Sequence, residues 1–127
     1  MNWNDLDGTI LLGKVFSKPL KMSMVDVFSV KIERDGPSIL IEFDLVGSLP
    51  DNPPKKWGND YNKCRAGINC SGVTQLSFND VGTRMLANIK IEKVGLLYRV
   101  SLNGDNLAIS FECGDVRFMG PSVYLSN

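Results

Sequence analysis

Five carboxylates of this 127-residue chain could in principle carry out acid–base chemistry, because a pair of Asp or Glu side chains is enough for glycoside hydrolysis. They are Glu33, Glu42, Asp44, Glu92 and Glu112. Each occupies a polar position in a segment where apolar and polar residues alternate, and such positions face solvent on a half-buried strand. The chain has no histidine, which is the commonest general base and metal ligand. The sequence therefore predicts no enzymatic activity, no cofactor and no metal site.

The three cysteines match neither a metal-binding nor a catalytic pattern. Five residues separate Cys64 from Cys70, and Cys113 stands alone, whereas structural zinc sites use closely spaced cysteine pairs. Cys113 continues the apolar phase of its segment, so we expect it to fill space in the core. We expect all three to be free thiols in a reducing compartment. A disulfide between Cys64 and Cys70, across neighbouring strands, is the alternative if the protein is oxidised.

The segment 50–57, PDNPPKKW, is the most unusual stretch of the chain. One interpretation is a long loop between two strands, which prolines stiffen and Trp57 anchors over the edge of the core. The other is a rigid recognition loop that presents Lys55, Lys56 and Trp57 to a partner. The sequence favours the first interpretation. A linker between domains is excluded, because each side of the segment is too short to form a domain.

Alternating segments from residue 25 onward predict the strands that position these residues. In VDVFSVKIER, Phe28, Val30 and Ile32 alternate with polar residues, as in a half-buried strand. The turn signal Asp35-Gly36 follows and predicts a hairpin with SILIEFDLV. Further strands are expected in NKCRAGINC, VTQLSFNDV, LANIKIEKV, LLYRVSLN, LAISFEC, VRFMG and SVYLS. A mainly β fold of about eight strands follows, as an antiparallel β-sandwich or partly open barrel.

One short helix is predicted before the strands, and composition limits the classes of partner. Asp7 or Thr9 could cap TILLGKVFS, which has helical apolar spacing. The length fits a single domain over residues 1–127. Fourteen basic and fourteen acidic residues balance, which argues against a nucleic-acid partner. The N-terminal sequence has no signal-peptide pattern and no long apolar run follows, so we expect a cytoplasmic protein without a membrane partner.

Several motifs together resemble the immunity protein 50 family. They are Trp3, RDGPSILIEFDL at 34–45 and PDNPPKKW at 50–57, followed by strands around LSFNDV, IKIEKV and ISFEC. The resemblance extends over nearly the whole chain. It implies a small bacterial cytoplasmic protein of a polymorphic toxin system, which neutralises the C-terminal domain of a cognate toxin by binding it. The family contributes no catalytic residues.

The expected contacts with such a toxin are basic and aromatic side chains in and after the proline-rich loop. Interfaces concentrate binding energy in a few aromatic and Arg anchors. The predicted contact residues are Lys55, Lys56, Trp57, Tyr61 and Arg65. Neither the oligomeric state, monomer or dimer, nor the pairing of the middle strands follows from the sequence.

The alternative function is a small β-sandwich module that binds a carbohydrate or another small ligand. Such a module needs two or more exposed aromatic side chains on one face of a sheet. The alternation instead places four aromatic residues with the core: Phe43, Phe78, Phe111 and Phe118.

Overall fold

The computed structural model describes residues 1–126, and strands are the main secondary structure in that range. One α-helix, α1, spans Ile10–Val15, and 3-10 turns span Trp3–Asp5 and Lys55–Trp57. The strands are β1 Met24–Glu33, β2 Ser38–Leu45, β3 Lys63–Ser71, β4 Thr74–Asn79, β5 Leu86–Val94, β6 Leu97–Gly104, β7 Leu107–Cys113 and β8 Asp115–Tyr124. The predicted fold class, with one short N-terminal helix, is confirmed. No helix within residues 1–126 has the length and apolar character needed to cross a membrane.

All eight strands form one antiparallel sheet that is not closed into a barrel, in the order β4-β7-β6-β5-β1-β2-β3-β8. β7 and β8 lie near opposite ends of this order, yet only Gly114 separates them along the chain. The backbone N–H of Gly114 also donates to the carbonyl of Ser71, at the end of β3, at 2.9 Å. These short connections require the sheet to fold over on itself, so that its two halves enclose the core.

The two halves of the sheet meet along a short seam. β1 pairs with β5 only over Met24–Asp26, opposite residues 86–88. On one side of the seam, β3 pairs with β2 and β8, and on the other side β4 pairs with β7. The consecutive strands β3 and β4 therefore do not pair as a hairpin. This settles the pairing of the middle strands, which the sequence left open.

The first strand departs from the predicted alternation at Phe28. The register of β1 with β2 passes from Val27 to Ser29 and leaves Phe28 without a partner. Such a β-bulge re-aims one side chain, and Phe28 is consequently 46% exposed on the outer face of the sheet. The expected place of Phe28 on the core side is therefore wrong. Ile32 is also exposed, because it lies close to the hairpin turn, where the core no longer covers β1.

The alternations of β2, β3, β7 and β8 agree with the structure. Alternate residues of β2 and β3 are buried: Ile39, Ile41, Phe43, Leu45, Cys64, Ala66, Ile68 and Cys70. Phe111, Cys113 and Phe118 are buried as well, and Phe78 is half-buried against the same core.

Residues that precede β1 complete the core. Trp3 is 1% exposed, and its ring centroid lies 5.2 Å from that of Phe43 and 5.7 Å from that of Phe118. The carbonyl of Asp7 accepts a hydrogen bond from the Phe118 N–H at 2.8 Å. Gly8 permits this approach, because a Cβ there would lie 2.4 Å from the Phe118 carbonyl oxygen.

Helix α1 packs Leu12 and Val15 into the core. Thr9 occupies the N-cap position, as predicted, but makes no capping hydrogen bond with its side chain. Its hydroxyl instead donates to the carbonyl of Leu6 at 3.0 Å.

Candidate partner-binding surface

The segment 50–57 is anchored by contacts within the chain. The backbone N–H of Asn52 donates to the Val15 carbonyl at 3.0 Å, and Asn52 Nδ2 donates to the Lys14 carbonyl at 3.1 Å. These bonds satisfy carbonyl groups that the end of α1 leaves without helical partners. At the other end of the segment, Trp57 is half-buried against the core. The loop is therefore the anchored, proline-stiffened connection that the sequence favoured.

Asp51 ties the start of the same loop to the residue after α1. Its carboxylate accepts hydrogen bonds from the hydroxyl and the backbone N–H of Ser17, the latter at 2.8 Å. These two bonds, the hydroxyl bond above all, lower the pKa of Asp51 from its usual value. Lys55 and Lys56 lie beyond this anchor and are exposed. The two lysines are thus the charged groups that the loop presents outward.

The structure divides the five predicted contact residues into two groups. Lys55, Lys56 and Trp57 form the 3-10 turn of the loop. Tyr61 is half-buried just before β3, and Arg65 lies within β3 on the outer face. The salt-bridge partner of Arg65 is Asp44, on the neighbouring strand β2.

Arg65 packs between two aromatic rings on the outer face of the sheet. Its guanidinium carbon lies 3.8 Å from the centroid of the Phe28 ring and 4.3 Å from that of Tyr124. Arg65 Nε lies 3.5 Å from Asp44 Oδ1, and the Tyr124 hydroxyl donates to Asp44 Oδ2 at 2.6 Å. One residue comes from each of β1, β2, β3 and β8. We call Phe28, Asp44, Arg65 and Tyr124 the Arg65 cluster.

The charges of the cluster are paired, but not by a hydrogen bond of ordinary geometry. Asp44 Oδ1 and Arg65 Nε are both buried and lack a hydrogen-bond partner in the described part of the chain. Burial, and then the hydrogen bond to Asp44, raises the pKa of Tyr124, because both favour the neutral phenol. Tyr124 therefore remains a hydrogen-bond donor to Asp44 at neutral pH.

A groove runs from this cluster along the seam between β1 and β5. One pocket, of about 430 Å³, is lined by Asp26 and Asp44 among others. A second pocket, of about 530 Å³, extends to Asn88. Arg84 and Leu86 line both pockets, so the two pockets are neighbours along the seam. We call the two pockets together the seam groove.

Two carboxylates lie side by side where the groove meets the cluster. Asp26 is directly opposite Asp44 in the β1–β2 register, and like charges in that arrangement are destabilising. Asp44 is paired with Arg65, whereas Asp26 takes part in none of the salt bridges found among residues 1–126. The Asp26 carboxylate is thus a charge without a cationic partner at the edge of the groove.

Two other carboxylates considered for catalysis are engaged in ion pairs. Glu92 pairs with Lys90 at 2.8 Å, and Glu112 pairs with Arg99 at 3.2 Å. Arg99 lies between the two acids in the strand register. Across the described residues, no group of three or more Cys, Asp or Glu side chains is arranged to hold a metal ion.

The proposed alternative disulfide between Cys64 and Cys70 is wrong. Both residues lie on β3 with five residues between them, a separation of roughly 20 Å, and a disulfide needs Cα atoms within about 7 Å. Cys70 instead interacts with the Cys113 thiol, and this interaction, together with burial, raises the pKa of Cys70. Burial raises the pKa of Cys64 to about 12. All three are free and buried.

Sequence reasoning found only one member of the Arg65 cluster. Phe28 was assigned to the core because a bulge leaves no clear signal in a period-two pattern. Asp44 matched an ordinary solvated position. Tyr124 reaches Arg65 only because β8 pairs with β3, and local spacing does not report a pairing between distant segments.

The outer face of this folded-over antiparallel β-sheet protein carries an aromatic–arginine cluster beside a groove. The sequence pattern of the family described as immunity protein 50 matches residues 8–124. The chain belongs to the immunity protein 50 family, which confirms the resemblance seen in the sequence. No curated protein and no solved structure matches the chain.

Proposed function

We propose that this chain is an immunity protein that binds and neutralises a cognate toxin domain of a bacterial polymorphic toxin system. It acts in the cytoplasm, as one domain over residues 1–127, and it works by occupancy rather than catalysis. The observation that carries the proposal is membership of the immunity protein 50 family over residues 8–124.

The described surface offers side chains suited to capturing a protein. Lys55 and Lys56 project from an anchored loop, and Arg65 is held between aromatic rings. The balance of fourteen basic and fourteen acidic residues means that long-range attraction to a toxin must come from local patches. Lys55 and Lys56 form such a patch, whereas Arg65 is paired with Asp44 and acts at short range.

Co-expression with the neighbouring toxin tests the proposal. The DNA flanking the gene is sequenced, and a toxin C-terminal domain encoded beside it is expressed in a bacterium with and without this chain. We expect the toxin alone to arrest growth and this chain to restore it, while an immunity protein from another system does not. If growth stays arrested although both proteins are present in soluble form, the proposal is wrong.

The stoichiometry of protection separates binding from catalysis. Purified toxin domain is titrated with this chain, and its residual activity and intact mass are followed. We expect inhibition to be complete at about one immunity protein per toxin, with the toxin unmodified, because a tight inhibitor acts by occupancy. Inactivation of many toxin molecules by one molecule of this chain would show an enzyme instead.

One observation favours the alternative of a small-ligand module. Phe28 and Tyr124 lie near each other on one outer face of the sheet, in contact with the same guanidinium. Arg65, however, already occupies space against both rings. A glycan array distinguishes the alternatives: specific, saturable binding that Phe28→Ser abolishes would support the ligand module, and no binding would leave the immunity function alone.

A further inference from the structure

We propose, resting on the proposed function, that the toxin docks on the outer face of the sheet at the Arg65 cluster. A carboxylate side chain of the toxin binds the free edge of the Arg65 guanidinium, and neighbouring toxin residues fill the seam groove. This assigns the interface to the sheet rather than to the proline-rich loop.

The geometry of Arg65 leaves one part of its guanidinium available. Two rings pack within 3.8 and 4.3 Å of its central carbon, and Nε faces Asp44. Arg65 also interacts with the Tyr124 hydroxyl, but its side chain is 39% exposed, so part of the guanidinium remains accessible. A planar fork that is already fixed in place matches a carboxylate with two parallel hydrogen bonds. Little side-chain entropy remains to be lost on binding.

Phe28 indicates that the cluster is not a by-product of folding. The bulge moves an apolar ring from the core side to the outer face, where burial contributes less to stability. Bulges are frequent beside functional sites because they re-aim a side chain in this way. The Phe28 ring covers the Arg65 guanidinium. It thereby shields a hydrogen bond between the guanidinium and a toxin carboxylate from water.

The composition of the two surfaces also favours the sheet. Arg and aromatic residues are enriched at the centres of interfaces, whereas Lys is depleted. The Arg65 cluster has the first composition, and the outward part of the loop consists of Lys55 and Lys56. Asn52 and Trp57 of the loop already contact other parts of the chain: Asn52 bonds to the end of α1, and Trp57 packs against the core.

The cluster alone is too small for a stable complex, which buries about 800 Å² on each partner. The seam groove extends the same face in one direction from Asp44. At their junction the Asp26 carboxylate lies opposite Asp44 without a cation of its own. A basic side chain of the toxin placed there would relieve the repulsion between the two carboxylates.

Affinity measurements on matched variants test the docking site. The probe is the catalytically inactivated toxin domain that wild-type chain neutralises in the co-expression assay, and Kd is measured by calorimetry. Arg65→Lys keeps the positive charge but loses the planar fork, and Phe28→Ser removes the ring that covers it. We expect each variant to raise the Kd about 30-fold or more. The melting temperature of each should stay within a few degrees of wild type.

The matched control is Arg99→Lys, the same substitution at an exposed arginine that is paired with Glu112. We expect it to bind within about threefold of wild type. The double variant Lys55→Glu/Lys56→Glu tests the competing site on the loop, and we expect it to lose less affinity than Arg65→Lys.

The outcomes separate the two proposals. If wild type protects cells but folded Arg65→Lys and Phe28→Ser bind within about threefold of wild type, the docking site is wrong and the immunity function stands. Loss of affinity only in the Lys55→Glu/Lys56→Glu variant would also overturn the site, in favour of the loop. If wild type itself fails to protect, the function is wrong.

Discussion

Replacing Trp3 by alanine should destabilise the fold strongly, although Trp3 precedes the residues 8–124 that match the family. The side chain is 1% exposed and stacks on Phe43. An indole buries about 200 Å², which at about 25 cal/mol per Å² corresponds to about 5 kcal/mol. Core Trp→Ala substitutions cost about 3–5 kcal/mol. We therefore expect Trp3→Ala to lower the unfolding free energy by about 4 kcal/mol.

Such a loss is a large share of the total stability, which is about 5–15 kcal/mol for a typical domain. It corresponds to a fall in Tm of about 12–20 °C for a chain of this size. Urea unfolding followed by circular dichroism measures the change without relying on tryptophan fluorescence. Trp3→Phe is the matched control, and retention of a ring should limit the loss to about 1–2 kcal/mol.

A loss below about 1 kcal/mol for Trp3→Ala would refute the reasoning. It would mean that the segment before α1 does not complete the core and that the two halves of the sheet bury Phe43 without it. The hydrogen bond from the Phe118 N–H to the Asp7 carbonyl, at 2.8 Å, would then be a peripheral contact.

Three further substitutions or measurements test other parts of the structure. Because the pKa of Tyr124 is raised in the folded protein, the Tyr124 phenol stabilises the fold fully below its usual pKa of 10.0. This contribution is lost as the pH rises through the folded-state pKa. Tyr124→Phe should therefore reduce the fall of the urea midpoint above pH 10.0, and an unchanged fall would contradict the effect. Gly104→Ala should destabilise the fold by about 2–3 kcal/mol, because the new Cβ would lie 1.9 Å from the Leu86 carbonyl oxygen. Gly13→Ala, where no atom lies within 4 Å of the new Cβ, should instead stabilise α1 by about 0.5–1 kcal/mol. Equal effects of the two substitutions in thermal melts would argue against the close approach at Gly104. A disulfide reagent at neutral pH should react with no thiol of the native protein, because all three are buried, and with all three after unfolding. Rapid labelling of the native protein would contradict the burial.

Local features of the fold were predictable because they depend on neighbouring residues. Asp35-Gly36 set the β1–β2 hairpin, and alternation assigned Ile39, Ile41 and Phe43 to the core, since side chains on a strand repeat every two residues. Turn signals likewise marked most strand ends. The strand order could not be read in this way. Gly114 looks like an ordinary turn in the sequence, yet it joins strands near opposite ends of the sheet.

The candidate site was less accessible to sequence reasoning than the fold. Arg65 was selected by residue type and its closeness to the proline-rich loop, but the residues that hold it come from three other strands. Phe28 was misassigned because a bulge shifts the phase by one residue. The strand register decides both which residues surround Arg65 and which way Phe28 points. It depends on pairing between distant strands and is not encoded in local periodicity.

The two faces of the sheet have separable roles, and this separation makes loss of immunity interpretable. The inner face is an apolar core, so a change such as Trp3→Phe should lower Tm while the folded fraction still binds with wild-type Kd. On the outer face, the contacting atoms of Asp44 and Arg65 are buried, so removing the positive charge would be costly, but Arg65→Lys keeps a positive charge beside Asp44. Arg65→Lys should therefore weaken binding at nearly constant Tm. A variant set in which Tm and affinity always fall together would show instead that the outer face acts only through the fold.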